Sequence, residues 1–305
     1  MPQQQTTQNQ CVCRASLHTL AEGVLPEAMH DSAKREQRPK CHPGTRVSAT
    51  EDIIRWIEDP NPSSTVLWVH GAEGVGKTAL MQRIAELEGI YYGGSFFFER
   101  GESGQDVIRY LFSTLAYQLA LSTPGMREHV ASAINWDPLL TKKNPACQLQ
   151  TLIVEPMRLL PRTLPRPVVI IIDGLNECKG RNSQHKILQL IGEVAEDPTV
   201  HIRFIIASRP EHQICYMFCE EPLLSRTRPL DLDSEDYDTA ADIELYVREQ
   251  FQSLRESSRD VMPHFGGILP SEQELEELVE QLCAYRQFAY PGAVINFCYG
   301  SWCAS

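Results

Sequence analysis

The sequence predicts a three-layer α/β fold with a mainly parallel sheet, followed by a small, mainly helical appendage. Three observations predict it. Short, almost continuously apolar runs recur at Thr65 to His70 (TVLWVH), Gly94 to Phe98 (GSFFF), Val168 to Asp173 (VVIIID) and Ile202 to Ser208 (IRFIIAS), the pattern of strands buried on both faces. Helical patterns lie between them, at about Lys77 to Glu88, Gln105 to Leu121, Cys147 to Leu160 and Gln184 to Ala195. Beyond Leu230-Asp231-Leu232 the strand signals stop, and helical stretches follow at about Tyr237 to Leu254 and Pro270 to Tyr285. Strand and helix in alternation give an open sheet with right-handed crossovers and a ligand site at the carboxyl ends of its strands.

Residues 1 to about 40 are rich in Gln, Thr, Ser and charge with little periodicity, and read as a disordered or weakly structured leader with a short helix near Leu17 to Leu25. Such a leader is expected to be dispensable for ligand binding. Residues 41–235 then form the α/β domain and 236–305 the appendage. Ser48-Ala49-Thr50-Glu51 has the capping-box pattern, so a short amphipathic helix carrying Ile53, Ile54, Trp56 and Ile57 starts there and ends before Pro60 and Pro62. No repeat at a solenoid or propeller period is present.

The chain has 305 residues, 42% hydrophobic and 22% charged, enough for one large domain with appendages. It opens on MPQQQTTQNQ, with no basic stretch leading into an apolar run, and no later apolar segment is long enough to cross a bilayer. It therefore reads as cytoplasmic, neither secreted nor membrane-spanning. The ten cysteines are scattered, which fits reduced core thiols better than a disulfide framework. Cys215 and Cys219 would share a helical face, but no second CxxC or HxxxH accompanies them to complete a zinc site. A net charge of −12 argues against a surface that tracks nucleic-acid phosphates. Binding a single nucleotide is local chemistry, open to an acidic chain.

Gly71-Ala72-Glu73-Gly74-Val75-Gly76-Lys77-Thr78 fits G-x-x-x-x-G-K-[ST] and lies between an apolar strand and a helix, where that motif works. Gly71, Gly74 and Gly76 let the backbone at Val75 and its neighbours wrap closely, so that N–H groups and the helix N-terminus face phosphate oxygens. Lys77 would reach the β and γ phosphates of ATP or GTP, and the Thr78 hydroxyl would ligate Mg²⁺. Asp173 ends an apolar strand and would join Thr78 at the metal. Glu177 is the remaining acid able to orient or deprotonate an attacking water, its alternative being a solvated glutamate. Arg209, in Ser208-Arg209-Pro210-Glu211, stands at a strand end where it can sense the γ-phosphate, or else pair with Glu211 or a neighbouring helix. Trp68, Phe96, Phe97 and Phe98 have buried-strand spacing and belong to the core rather than to a base-stacking site.

These segments, with CHPGTR at Cys41 to Arg46, SFFFER at Ser95 to Arg100, IIDGLNEC at Ile171 to Cys178 and ASRPE at Ala207 to Glu211, resemble the NACHT domain. They look most like the nephrocystin-type N-terminal P-loop NTPase of fungal NLR-like STAND proteins. The likeness runs from about Cys41 to Phe297, since Gln287 to Tyr290 and Val294 to Phe297 resemble the helical region after the NTPase. It implies a nucleotide-gated switch in signal transduction, in innate-immune or self/non-self recognition settings, with homo-oligomers or effector proteins as partners. Carried over, it gives phosphate binding to Gly76, Lys77 and Thr78, magnesium to Asp173, and γ-phosphate sensing to Arg209. It also brings Thr45-Arg46 toward the nucleotide.

The family's aspartate in its D-A/G-L-D-E segment is Asn176 here, which leaves Glu177 alone and implies slow or absent turnover. On that reading, returning an aspartate to position 176 speeds hydrolysis. The chain also ends soon after the helical region without sensor repeats, as a short or truncated member would. Two other readings stand beside the switch: a scaffold that binds nucleotide without hydrolysing it, and a small-molecule kinase, for which no acceptor base or lid arginines are evident.

Overall fold

The computed structural model describes residues 13–36, 38–87, 92–99, 107–160, 167–259 and 270–303. Residues 1–12 of the leader, Glu88, Arg100 and the helix start expected at Gln105 lie outside them. In chain order α1 (13–21), α2 (Ala33–Glu36) and α3 (Val47–Glu58) precede β1 (Val66–His70), α4 (Lys77–Glu86) and β2 (Tyr92–Phe97). Next come α5 (Ile108–Ser122), α6 (Met126–Trp136), α7 (Pro145–Leu149) and α8 (Glu155–Leu159), then β3 (Val168–Asp173) and α9 (Arg181–Ala195). β4 (Ile202–Ser208), α10 (His212–Phe218), α11 (Leu223–Arg226) and β5 (Thr227–Asp231) complete the sheet region, and α12 (Thr239–Arg259), α13 (Glu272–Ala284) and α14 (Ala289–Cys303) form the appendage.

Every strand pairing is parallel, in the order β2-β3-β4-β1-β5. β1 therefore sits between β4 and β5, and the loop that leaves it opens beside the loops that leave those strands. Alternation along each strand divides the core into two layers. Trp68, Ile170, Ile172, Phe204 and Ile206 face α5 to α11. Leu67, Val69, Val169, Ile171 and Ile205 face α3 and α4. The four aromatic residues expected in the core are buried, and Trp68 stacks on Phe218 with ring centroids 4.3 Å apart. The appendage has its own core, in which Val247, Phe251, Leu275, Val279 and Ile295 meet.

Several expectations need correction. A fifth strand, β5, of which the sequence signalled only the end, holds the sheet edge, where Pro229 is tolerated because its missing N–H costs no ladder bond on the open side. Helix α6 had no signal of its own. The segment expected as one helix from Cys147 is α7, a π turn over Gln150–Val154 and α8; the widening falls just before Pro156, which has no N–H to continue the ladder. α3 starts at Val47, with Arg46 as a left-handed N-cap (φ 55°), so Ser48 lies inside the helix and caps nothing. Of Cys13, Cys41, Cys147, Cys178, Cys215, Cys219 and Cys283 only Cys178 is buried, and Cys219 is exposed. Among the described residues no helix is long and apolar enough to cross a membrane.

The largest correction concerns the leader. Residues 13–36 are packed on the domain rather than loose: Leu20 and Ala28 join the layer under α5, and Arg35 is buried. Hydrogen bonds supply the rest of the attachment, from the Leu25 N–H to Thr114 Oγ1 (3.0 Å), from the His30 N–H to Ser95 Oγ (3.1 Å) and from Gln82 Nε2 to the His30 carbonyl (2.9 Å). So few apolar anchors leave no periodicity for a sequence pattern to show. Leu20 is fully buried, so Leu20→Ala is expected to cost about 2–4 kcal/mol of stability. Chemical denaturation checks this, and an unchanged midpoint would return the segment to the status of a loose leader.

Candidate functional site

β1 delivers the chain at His70 to the carboxyl edge of the sheet, and the glycine-rich loop turns it into α4. Gly76 makes that turn with φ +100° as the N-cap of α4, a conformation that strains any residue with a Cβ. Lys77 folds back over the loop, donating from Nζ to the Gly71 and Ala72 carbonyls, both at 2.7 Å. At the second position of α4, Thr78 Oγ1 donates to Asp173 Oδ2 at 2.7 Å, joining the helix to the end of β3. Val75 contributes backbone only, its side chain being buried under α3 and α4.

The loops after β3 and β4 meet beside this centre. Arg209 Nη2 donates to Glu177 Oε1 at 2.8 Å, and its Nη1 lies 3.1 Å from Glu73 Oε2 of the loop after β1. The Arg209 N–H donates to Asn176 Oδ1 (2.9 Å), while Asn176 Nδ2 donates to Glu177 Oε1 (2.8 Å). Arg209 thus pairs not with Glu211, whose Oε2 accepts from Gln213, but with Glu73 and with Glu177 at the end of the 3-10 turn Leu175–Glu177. Glu177 is not a freely solvated glutamate, being held by both neighbours.

Charge at the centre is balanced by burial. Burial pushes the Asp173 carboxyl up to about 6, against the hydrogen bond from Thr78 and the charges of Arg35 and Lys77. Burial also lowers the Lys77 ammonium, opposed by Asp173, Asp233, Glu73 and Glu177. Among the described residues no group of three or more His, Cys, Asp or Glu is placed to hold a metal alone. The Thr78 hydroxyl and Asp173 carboxylate fit Mg²⁺, a hard cation that protein sites hold with one or two such oxygens while phosphate oxygens supply others.

Over residues 44–209 the sequence matches the family model described as nephrocystin 3, N-terminal. The chain belongs to that family. This nephrocystin-type domain is a NACHT-like P-loop fold, a nucleotide-binding P-loop module. No curated protein matches the chain. Among solved structures it is similar to the Aeropyrum pernix ORC2 protein in its ADPNP-ADP complexes, at 13% identity and a TM-score of 0.36, over 73% of this chain and 55% of that one. It is also similar to Drosophila ORC bound to AT-rich DNA and Cdc6, at 13% identity and a TM-score of 0.35, over 77% of this chain and 79% of that one. Likeness at this level carries neither ligand nor partner across.

Sequence reading passed over Arg35, Asp233 and Ala289, which bear on the centre, whereas the family resemblance brings Arg46 toward it. Arg35, from α2, lies 3.7 Å from the Phe97 ring centroid, and its Nε donates to Gln82 Oε1 at 2.8 Å. Phe97 is the register partner of Asp173, and Gln82 sits one turn below Thr78, so this buried cation stands beside the aspartate. Asp233, just past β5, accepts from the Ala72 N–H at 2.6 Å; its place at a strand's carboxyl end was the signal available. Arg46 donates to the Val75 carbonyl (2.7 Å) and to Thr239 Oγ1 (3.0 Å), linking the loop to α12. The Ala289 N–H of α14 donates to the Gly74 carbonyl (3.3 Å), and a Cβ on Gly74 would lie 2.7 Å from that of Ala289.

The Asp173 shift gives a pH dependence with a definite sign. Its ordinary value is 3.8, so between about 4 and about 6 the folded protein holds a proton that the unfolded chain has released. Stability fully present below the lower value is lost as pH rises through the upper one. Melting of protein free of nucleotide and metal, as wild type minus Asp173→Asn, is expected to show that fall; a flat difference refutes it.

Proposed function

We propose that this module binds ATP or GTP with Mg²⁺ and acts as a STAND-type molecular switch or oligomerisation module in cytoplasmic signal transduction. The observation that carries the reading is Lys77 lying over its own loop while Thr78 and Asp173 stand together at the loop's far side. An ammonium has three donors, and the two carbonyl bonds of Lys77 leave one for a phosphate oxygen. Backbone N–H groups of Gly74 to Thr78 at the start of α4 would add fixed positive dipoles. Thr78 and Asp173 would hold the magnesium ion, whose charge would offset that of the phosphates.

Glu177 and Arg209 are the groups able to act on a γ-phosphate and an attacking water. Their mutual ion pair ties the two together, so a change at the phosphate reaches the β3 and β4 loops at once. The same pairing favours a second reading, a scaffold that binds nucleotide without turnover, because a carboxylate bonded to a guanidinium is a poorer base. An appendage seated on the loop through Ala289 and Arg46 supports a switch, since two packed bodies that share one loop can repack when it is filled. Partners are then a second copy or an effector protein, whereas the net charge of −12 disfavours nucleic acid.

Replacing Lys77 by Ala removes the cation facing the phosphates, and triphosphate affinity is expected to fall at least about 10-fold, the worth of a hydrogen bond to a charged group. Circular dichroism should show the fold retained. Calorimetry giving the variant wild-type affinity would end the assignment.

A further inference from the structure

We infer that Asn176 is a positioning residue, one that sets Glu177 and Arg209 in place for a γ-phosphate rather than the damaged remnant of an acid. The inference rests on the nucleotide-binding reading above. Asn176 lies in the tight 3-10 turn Leu175–Glu177 that follows β3. Its carboxamide is used at both ends and on two different loops: Oδ1 accepts from the backbone N–H of Arg209, just past β4, and Nδ2 donates to Glu177 Oε1. That same Oε1 accepts from Arg209 Nη2, which closes a ring of three hydrogen bonds through Asn176, Glu177 and Arg209. The other arm of the guanidinium reaches Glu73, so the ring extends to the P-loop. The turn itself is fixed from below, since Gln184 Nε2 of α9 donates to the Asn176 and Cys178 carbonyls.

This ring is satisfied by a carboxamide and not by a carboxylate. It needs an acceptor toward an N–H and a donor toward a carboxylate, and Asn presents one of each from a single short side chain. Aspartate keeps the acceptor and loses the donor. It also sets a second negative charge at hydrogen-bond distance from Glu177, where like charges repel in a part-buried site. Returning the family's aspartate to position 176 therefore loosens this site rather than repairing it, the opposite of what the sequence alone implies. The Arg209 N–H keeps its acceptor, but the carboxylate of Glu177, without its donor and facing a like charge, turns away, and the guanidinium is no longer aimed.

The effect is read in the preference for triphosphate over diphosphate, because the ring would face the γ-phosphate, which only a triphosphate has, while the loop N–H groups and Lys77 would hold the β-phosphate of either nucleotide. Calorimetry with the magnesium complexes of a non-hydrolysable ATP analogue and of ADP is compared for wild type, Asn176→Ala, Asn176→Asp, Arg209→Ala and Asn176→Asp with Arg209→Ala. Wild type is expected to prefer the analogue. Both Asn176 variants are expected to lose that preference by about 10-fold, as for a charge-assisted hydrogen bond, with ADP affinity and melting temperature unchanged, which a general structural defect would not spare. The double variant is expected to be no worse than Arg209→Ala, since the two residues act as one unit. An unchanged or larger preference in Asn176→Asp, a loss that adds to that of Arg209→Ala, or ADP binding without any triphosphate preference in wild type overturns the inference and leaves the P-loop reading intact. Wild type binding neither nucleotide overturns that reading itself.

Discussion

A loop that wraps its N–H groups around an anion turns carbonyls outward, and those carbonyls need partners of their own. In this protein that requirement organises the rest of the molecule. The carbonyls of Gly71 and Ala72 are met by Lys77, that of Val75 by Arg46 and that of Gly74 by the Ala289 N–H, while the Ala72 N–H is met by Asp233. One partner comes from the loop, one from the segment before α3, one from the appendage and one from the end of β5. The P-loop is the point at which four parts of the chain are fastened together.

Buried arginines do the same work further out. Arg203, in the middle of the sheet, donates from Nη1 to the Trp56 and Ile57 carbonyls and from Nη2 to that of Asp59, closing the carboxyl end of α3 where a cation also meets the helix dipole. Arg35 fastens α2 to Gln82 and Phe97 beside Asp173. Arg46 spans the P-loop, Thr239 and, at 5.3 Å, the Phe288 ring. A guanidinium has five donors in a rigid fork, so it can hold several carbonyls that no helix or strand can pair. Each of these cations is costly to bury, which makes its partners specific: a different packing would leave it unpaired.

The strands and the phosphate-binding loop were legible because their physics is local. A parallel strand covered on both faces is an apolar run, and a loop that cradles phosphates needs glycines, lysine and a hydroxyl at fixed spacing. The leader was not legible, because its attachment rests on Leu20, Ala28, the lone side chain of Arg35 and a few hydrogen bonds from backbone atoms every sequence possesses, none of which makes a periodic pattern. Arg209 was placed correctly at a strand end, yet its partners, Glu177 and Glu73, lie 32 and more than 100 positions away along the chain.

The sequence by itself determined the α/β class, the first four strands and the identity of the P-loop, since each follows from periodicity or spacing within one segment. Only the tertiary structure decided which loops face one another. The order β2-β3-β4-β1-β5 sets the ends of β3 and β4 side by side and β5 beside β1, and from that follow the Asn176 ring, the contact of Asp233 with Ala72 and the seat of α14 on Gly74. The reason is that an apolar run specifies burial but not its neighbour: any of these strands could pair with any other until the crossovers and the buried arginines choose.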